Sequence, residues 1–393
     1  MMNFQTLQTL DSQYIMNTYG RFPVDLLRGE GCALYDASGK RYIDFTSGIG
    51  VTALGHGDAA WVQAVSEQAA MLAHVSNLYY TEPQVTLAQT LCQRSGMSRV
   101  FFANSGAEAN EGMMKLARKY SCDKYGPERG GIVTLNQSFH GRTAAALSAT
   151  GQDVFHDFFF PFPGGFSYAD PNMESIRETV KGDTCAVMLE LIQGEGGVNP
   201  MDKSFIHDLA IFCAERDVLL LIDEVQTGIG RTGSLFAFQQ YGIIPDVCSF
   251  AKGVGGGLPL GGFFANEKCK NVLGKSNHGT TFGGNPICCA GANVVMERMS
   301  DDFLEAVAEK GKYLRNGIEA LELPCFVGAT KGMGLMIGIA VKEGYSNREI
   351  VEKLNEKGLL CLTAGPVVRL LPPLTITQEE MNEGIQIMKE TLA

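Results

Sequence analysis

Val218-Leu219-Leu220-Leu221-Ile222-Asp223-Glu224-Val225-Gln226 is an apolar run that ends in acid, and the glycine-rich Thr227-Gly228-Ile229-Gly230-Arg231-Thr232-Gly233 follows it. A short continuous apolar run closed by turn residues, here 218–222, reads as a strand buried on both faces. Downstream, Ser249-Phe250-Ala251 delivers Lys252 into Gly253-Val254-Gly255-Gly256-Gly257. Runs of the same kind stand at 99–103, 131–135, 185–192, 247–250 and 261–265, with helical stretches between them such as 107–120 and 203–215. This alternation predicts an α/β fold whose mostly parallel sheet carries helices on both faces.

Outside that region the pattern changes. Residues 33–45 read as a hairpin, two short strands about an Asp36-Ala37-Ser38-Gly39 turn. After about residue 290 a helix at 288–299 leads to more helix and a few strands, ending in a polar amphipathic helix from Gln378. That part reads as a smaller α+β domain, and the N-terminal segment is expected to join it. The expected division is 1–55, 56–287 for the large domain and 288–393.

Composition narrows the function. At 393 residues the chain is long for one simple core, and two domains are the prior. A net charge of −11 with no basic run argues against a nucleic-acid surface. No apolar segment reaches the roughly 20 residues that span a bilayer. Residues 1–14 are polar and lack the charged-then-apolar pattern of a signal peptide, which points to the cytoplasm. The eleven cysteines form no C-x-x-C pair and read as small core residues kept reduced. Six scattered histidines and the absence of H-E-x-x-H leave no metal site to expect.

Chemistry gathers at strand ends. An acid closing a buried strand (Asp223) and a lysine on a small-residue loop (Lys252) are what a pyridoxal phosphate enzyme needs. The lysine holds the aldehyde as a Schiff base, and the acid keeps the pyridine nitrogen protonated. Asn104-Ser105-Gly106-Ala107-Glu108 follows a predicted strand and opens a helix, whose free amides suit a phosphate. Ser105 with Glu108 equally reads as a capping box that needs no ligand. Phe139-His140-Gly141-Arg142-Thr143 offers a ring for stacking and a guanidinium for a carboxylate, or else a core aromatic and a solvated arginine. Gln193-Gly194-Glu195-Gly196-Gly197 can be a glycine-rich turn and nothing more. Arg369, between Val368 and Leu370, is expensive to bury unpaired. Residues 228–233 match G-x-G-x-x-G formally, but after an acidic loop rather than at a tight strand-to-helix turn, so the match carries little. Two readings from other classes remain: an oxidoreductase using that loop, and a binding protein that has lost catalysis. Lys252 and Asp223 together speak against both.

These segments, with Thr18-Tyr19-Gly20-Arg21-Phe22-Pro23, His278-Gly279-Thr280-Thr281-Phe282-Gly283-Gly284-Asn285-Pro286 and Arg369-Leu370-Leu371-Pro372-Pro373, give the chain a resemblance. It resembles the class III (ornithine-type) aminotransferases of PLP fold type I, nearest to the branch that acts on N-acetylornithine, over nearly its whole length and in order. The resemblance implies a seven-stranded sheet, pyridoxal 5'-phosphate as cofactor, and a homodimer with shared active sites working on small amino and 2-oxo acids. It implies Lys252 as cofactor lysine and proton shuttle, Asp223 at the pyridinium, Gln226 near the ring phenolate, and Val225 and Phe139 against the ring faces. Ser105, Gly106 and Ala107 would hold the phosphate, with Thr281 reaching in from the other subunit. Arg142 would take the donor's α-carboxylate, Tyr19 would line the donor pocket, and Glu195 would mask Arg369 until glutamate needs it. The implied reaction moves the δ-amino group of N-acetylornithine to 2-oxoglutarate. Succinylornithine, ornithine, 4-aminobutyrate and acylated lysine precursors are the rival donors. Ile49 stands where the enzymes for free ornithine usually carry a tyrosine. Leu191, Thr52 and Gly57-Asp58 depart from the family's pattern.

Overall fold

The computed structural model describes residues 2–393. At its centre is a seven-stranded sheet. Across it run the strands Arg99–Ala103, Gly261–Ala265, Val247–Phe250, Leu219–Asp223, Thr184–Glu190, Gly131–Leu135 and Phe166–Ala169. Gly261–Ala265 is antiparallel to both neighbours, and every other pairing is parallel. Four of the predicted strands have the expected bounds. The expected strand at 185–192 breaks after Glu190, and the one at 218–222 shifts to Leu219–Asp223. All residues of Thr184–Glu190 and Leu219–Asp223 are buried, because helices cover both faces.

The helices are capped by the residues before them. Ser105 caps Gly106–Tyr125, Asp202 caps Lys203–Arg216 with two amides bound to its carboxylate, and Asn285 caps Pro286–Arg298, with proline in its first turn. The predicted hairpin is present as Ala33–Asp36 and Arg41–Asp44, turned by Asp36, whose Oδ1 accepts from the amides of Ser38 and Lys40.

Two four-stranded sheets and the short antiparallel pair Ile192–Gln193 with Asn199–Pro200 complete the frame. Leu26–Glu30 and the hairpin form one, closed by Leu359–Leu360, which pairs in parallel with Ile43 and Asp44. The other is antiparallel and has the order Lys331–Met333, Met336–Ala340, Val367–Leu370, Leu362–Ala364. It carries Arg369 opposite Gly338 and Leu362. Among the described residues no helix is long and apolar enough to cross a membrane.

Candidate active site

Parallel strands deliver their carboxyl ends to one edge of the sheet, and ligands of open α/β folds bind there. Asp223 closes its strand with Glu190 and Ser249 as its neighbours in register on either side. A cavity of about 460 Å³ opens at this edge. Its walls include Asp223, Lys252, Val225, Gln226, Phe139 and Arg142, and also Ser105, Gly106, Ala107 and Glu195. Arg369 lies behind the wall, joined to it through Glu195 and Gln226. Two predicted residues are elsewhere. Tyr19 is 70% exposed in a groove with the N-terminal helix, and Thr281 is exposed beside Phe282 on the 280–284 loop. Neither lines this cavity of the single chain.

Asp223 is 4% exposed and heavily supported. Oδ2 accepts from Asn110 Nδ2 at 2.7 Å and meets His140 Nδ1 at 2.8 Å, while Oδ1 accepts from the Val225 amide at 3.0 Å. The dipoles around it suit a carboxylate that must stay charged against a cationic partner. Lys252 heads its loop at φ 47°, in the left-handed region where a side chain is strained. Burial pushes its amine below the ordinary lysine range. The fields of Glu195, Asp223 and Glu190 pull it back up, and Arg369 pushes with burial.

At the helix start, Ser105 Oγ accepts from the Glu108 amide at 3.2 Å, which is half of the expected capping box. The other half is displaced. The Glu108 carboxylate accepts from the amide and side chain of Asn104, at 2.7 and 2.9 Å. The first-turn amides of the helix lack partners within it. A Cβ on Gly106 would lie 2.6 Å from Val225 Cγ1, so only glycine allows this approach.

Arg369, 2% exposed, donates from Nη1 to Glu195 Oε1 at 2.7 Å and from Nη2 to Oε2 at 3.2 Å. Nη1 also donates to Gln226 Oε1 at 3.0 Å, so Gln226 is occupied with this pair. Burial works against the Glu195 charge, yet Arg369 prevails and holds the carboxyl below its usual range. Arg142 is exposed and lies over the rings of Phe155 and Phe139, at 4.1 and 5.6 Å from their centroids.

Four residues of the site escaped the sequence reading: Asn110, His140, Glu190 and Ser249. Glu190 ends an apolar strand as Asp223 does, so the same rule would have found it. Its carboxylate accepts from the amides of Phe139 (2.9 Å) and Gly194 (3.1 Å), and burial pushes its pKa up. Asn110 lies one helical turn after Gly106, on the same face. His140 and Ser249 touch Asp223 from segments remote in sequence.

Pyridoxal phosphate fits these residues. The Gly106 helix start offers amides to a phosphate, Val225 and Phe139 give a flat ring apolar walls, Asp223 offers a charge to a ring nitrogen, and Lys252 presents an amine to an aldehyde. The sequence matches the family model described as aminotransferase class-III over residues 14–392. It is similar to the acetylornithine aminotransferase of Haemophilus ducreyi, 46% identical over 394 residues and 100% of both chains. Among solved structures, the N-acetylornithine aminotransferase of Stenotrophomonas maltophilia superposes with a TM-score of 0.84 at 36% identity, over 98% of this chain and 97% of that one. The ornithine aminotransferase of Toxoplasma gondii superposes with a TM-score of 0.95 at 28% identity, over 100% and 95%.

Proposed function

The chain belongs to the class III aminotransferases, which use pyridoxal phosphate, and on that premise we infer that it moves the δ-amino group of N-acetylornithine to 2-oxoglutarate. The products are N-acetylglutamate semialdehyde and glutamate, a step of arginine biosynthesis. The observation that carries this reading is full-length similarity to acetylornithine aminotransferases joined to two separate arginines at the site, Arg142 exposed at the cavity wall and Arg369 paired with Glu195.

Bound here, pyridoxal phosphate supplies a carbonyl that takes up the amino group and an electron sink that acidifies the neighbouring C–H. The chain's residues do the rest. Lys252 would hold the cofactor through its amine and, with that amine made less basic by burial, would take a proton from the donor carbon and return it to the cofactor. Asp223, steadied by Asn110 and His140, would face the ring nitrogen and keep its proton in place. Arg142 binds the α-carboxylate of the acylated donor. Glu195 covers Arg369 during that half of the reaction and uncovers it for the α-carboxylate of glutamate in the other. The two halves alternate in a ping-pong cycle.

Ornithine is the second reading, favoured by the 0.95 TM-score to the Toxoplasma gondii enzyme. Ile49, 42% exposed, stands against it. A panel of donors with 2-oxoglutarate decides. N-acetylornithine should exceed ornithine, succinylornithine and 4-aminobutyrate in kcat/KM, and a rival preferred by about tenfold, near 1.4 kcal/mol of discrimination, would replace it.

The same reading includes a homodimer in which Thr281 serves the partner's cofactor. It takes 56–287 as the cofactor domain and joins 1–55 with 288–393, supported by the parallel pairing of residues 359–360 with 43–44. Eleven free cysteines support the cytoplasm as its compartment.

A further inference from the structure

The G-x-G-x-x-G segment at 228–233 binds no nucleotide in this reading, but it has a defined task in the fold. Arg231 is 2% exposed, and its guanidinium ends on two backbone carbonyls. Nη1 donates to Leu335 O at 3.0 Å and to Pro372 O at 2.5 Å. The Leu335 amide returns a hydrogen bond to Arg231 O at 3.0 Å. Asp44 acts on the guanidinium only through its field. Gly334 fits against this loop because it has no side chain: a Cβ there would lie 2.5 Å from Thr232 C.

The two carbonyls are not arbitrary. Leu335 immediately precedes the strand Met336–Ala340, and Pro372 follows the strand Val367–Leu370, its neighbour in the sheet. Arg231 therefore grips the adjoining ends of the strand that carries Arg369 and of its neighbour Met336–Ala340. On the other side, the Leu371 amide donates to Phe45 O at 2.7 Å. The Asp223 loop and the Arg369 strand are thus joined twice, once through Glu195 and Gln226 and once through Arg231. The first join must open whenever Arg369 turns to a substrate. The second touches no substrate and has no reason to open.

We propose that Arg231 is a positioning residue for the second substrate: it keeps the Arg369 strand docked when Glu195 releases the guanidinium to a five-carbon dicarboxylic acid. The inference rests on the assignment of Arg369 to glutamate and 2-oxoglutarate. Without the clasp, a freed Arg369 carries its strand away from the cavity, and only the half-reaction that uses Arg369 suffers.

The test follows both half-reactions of the holoenzyme in single turnovers, through the cofactor's absorbance, in Arg231→Gln and Arg231→Lys. With glutamate, kcat/KM should fall by about tenfold or more in Arg231→Gln, chiefly through KM, whereas N-acetylornithine should lose less than about threefold. Arg231→Lys, which keeps a donor for one carbonyl, should recover part of the glutamate loss. Equal losses in both halves, or none, would overturn the proposal. Wild type that ignores N-acetylornithine would instead overturn the donor assignment, and the comparison would then use the donor it accepts. If the variants do not fold, amide exchange of the wild-type holoenzyme decides. The peptide containing Leu335 should stay protected when glutarate saturates the site, and faster exchange there would show that the clasp opens with the switch.

Discussion

At the scale of single residues the site is a set of opposed charges, and each variant should report one of them. Lys252→Ala removes the amine proposed to anchor the cofactor and carry the proton. The variant should hold pyridoxal phosphate only noncovalently, so that borohydride treatment leaves no pyridoxyl mass on its peptide. Turnover should fall by a factor of at least about 10² to 10⁴, the worth of positioned proton transfer. Undiminished turnover would remove Lys252 from the mechanism. Glu195→Ala leaves Arg369 uncovered. The half-reaction with N-acetylornithine should slow, because a bare guanidinium competes for the donor's carboxylate, while the half-reaction with glutamate is spared or improved. Slowing of both halves alike would mean that Glu195 does something other than cover Arg369. Much of this was legible from the chain: Lys252, Asp223, Glu195 and Arg369 each break an apolar or glycine-rich stretch with a charge. Asn110 and His140 were not. Each supports Asp223 from a distance of 113 or 83 residues, and no local pattern marks a long-range partner.

At the scale of elements, strands buried on both faces announce themselves, and short amphipathic ones do not. Residues 99–103, 131–135, 247–250 and 261–265 were readable because each is mainly apolar, interrupted only by Arg99, Thr134 and Ser249, and closed by turn residues. Lys331–Met333, Leu359–Leu360 and Leu362–Ala364 are two or three residues long, and only their neighbours make them strands. The loop after Asp223 depends on a group that composition does not reveal. Glu224 is fully buried, and its carboxylate accepts from Thr227 Oγ1 at 2.6 Å and from the amides of Ala237 and Phe238 at 3.0 and 2.7 Å. It ties the loop to the start of the Ala237–Tyr241 helix. Burial pushes its pKa from 4.5 up to about 7, against those three donors. The folded chain therefore keeps this proton where the unfolded chain has lost it, and stability from this group falls as pH rises from about 4.5 to about 7. The fall should amount to at most about 3 kcal/mol. Thermal unfolding measured across that window should show a component that Glu224→Gln lacks, even though the variant is less stable overall. Identical slopes in both proteins would mean that Glu224 is ionised throughout and that its donors outweigh its burial.

At the scale of the whole molecule the single chain exposes more apolar surface than a monomer needs, and exposes it beside Thr281. Leu78, Tyr80 and Phe282 are 86%, 98% and 62% exposed. They belong to two segments that hold each other: Asn77 Nδ2 donates to Gly283 O at 2.8 Å, and the His74 and Phe282 rings lie 5.4 Å apart. Packing a second copy against this ridge would bury it and bring the 280–284 loop to another chain's cavity, which is the arrangement proposed for Thr281. The geometry is testable because the two halves of such a site come from different chains. Thr281→Ala alone should weaken cofactor binding, although Thr281 does not line the cavity of its own chain. Lys252→Ala alone should be inactive. A heterodimer of one Lys252→Ala chain and one Thr281→Ala chain has one site with both residues intact, because the unchanged Lys252 of one protomer then faces the unchanged Thr281 of the other. With differently tagged protomers purified as verified heterodimers and assayed at limiting pyridoxal phosphate, activity should rise above that of the Thr281→Ala homodimer. If Thr281 served its own chain, the only active site of the heterodimer would still lack it, and activity would drop to half that of the Thr281→Ala homodimer, since only one site in two keeps its lysine.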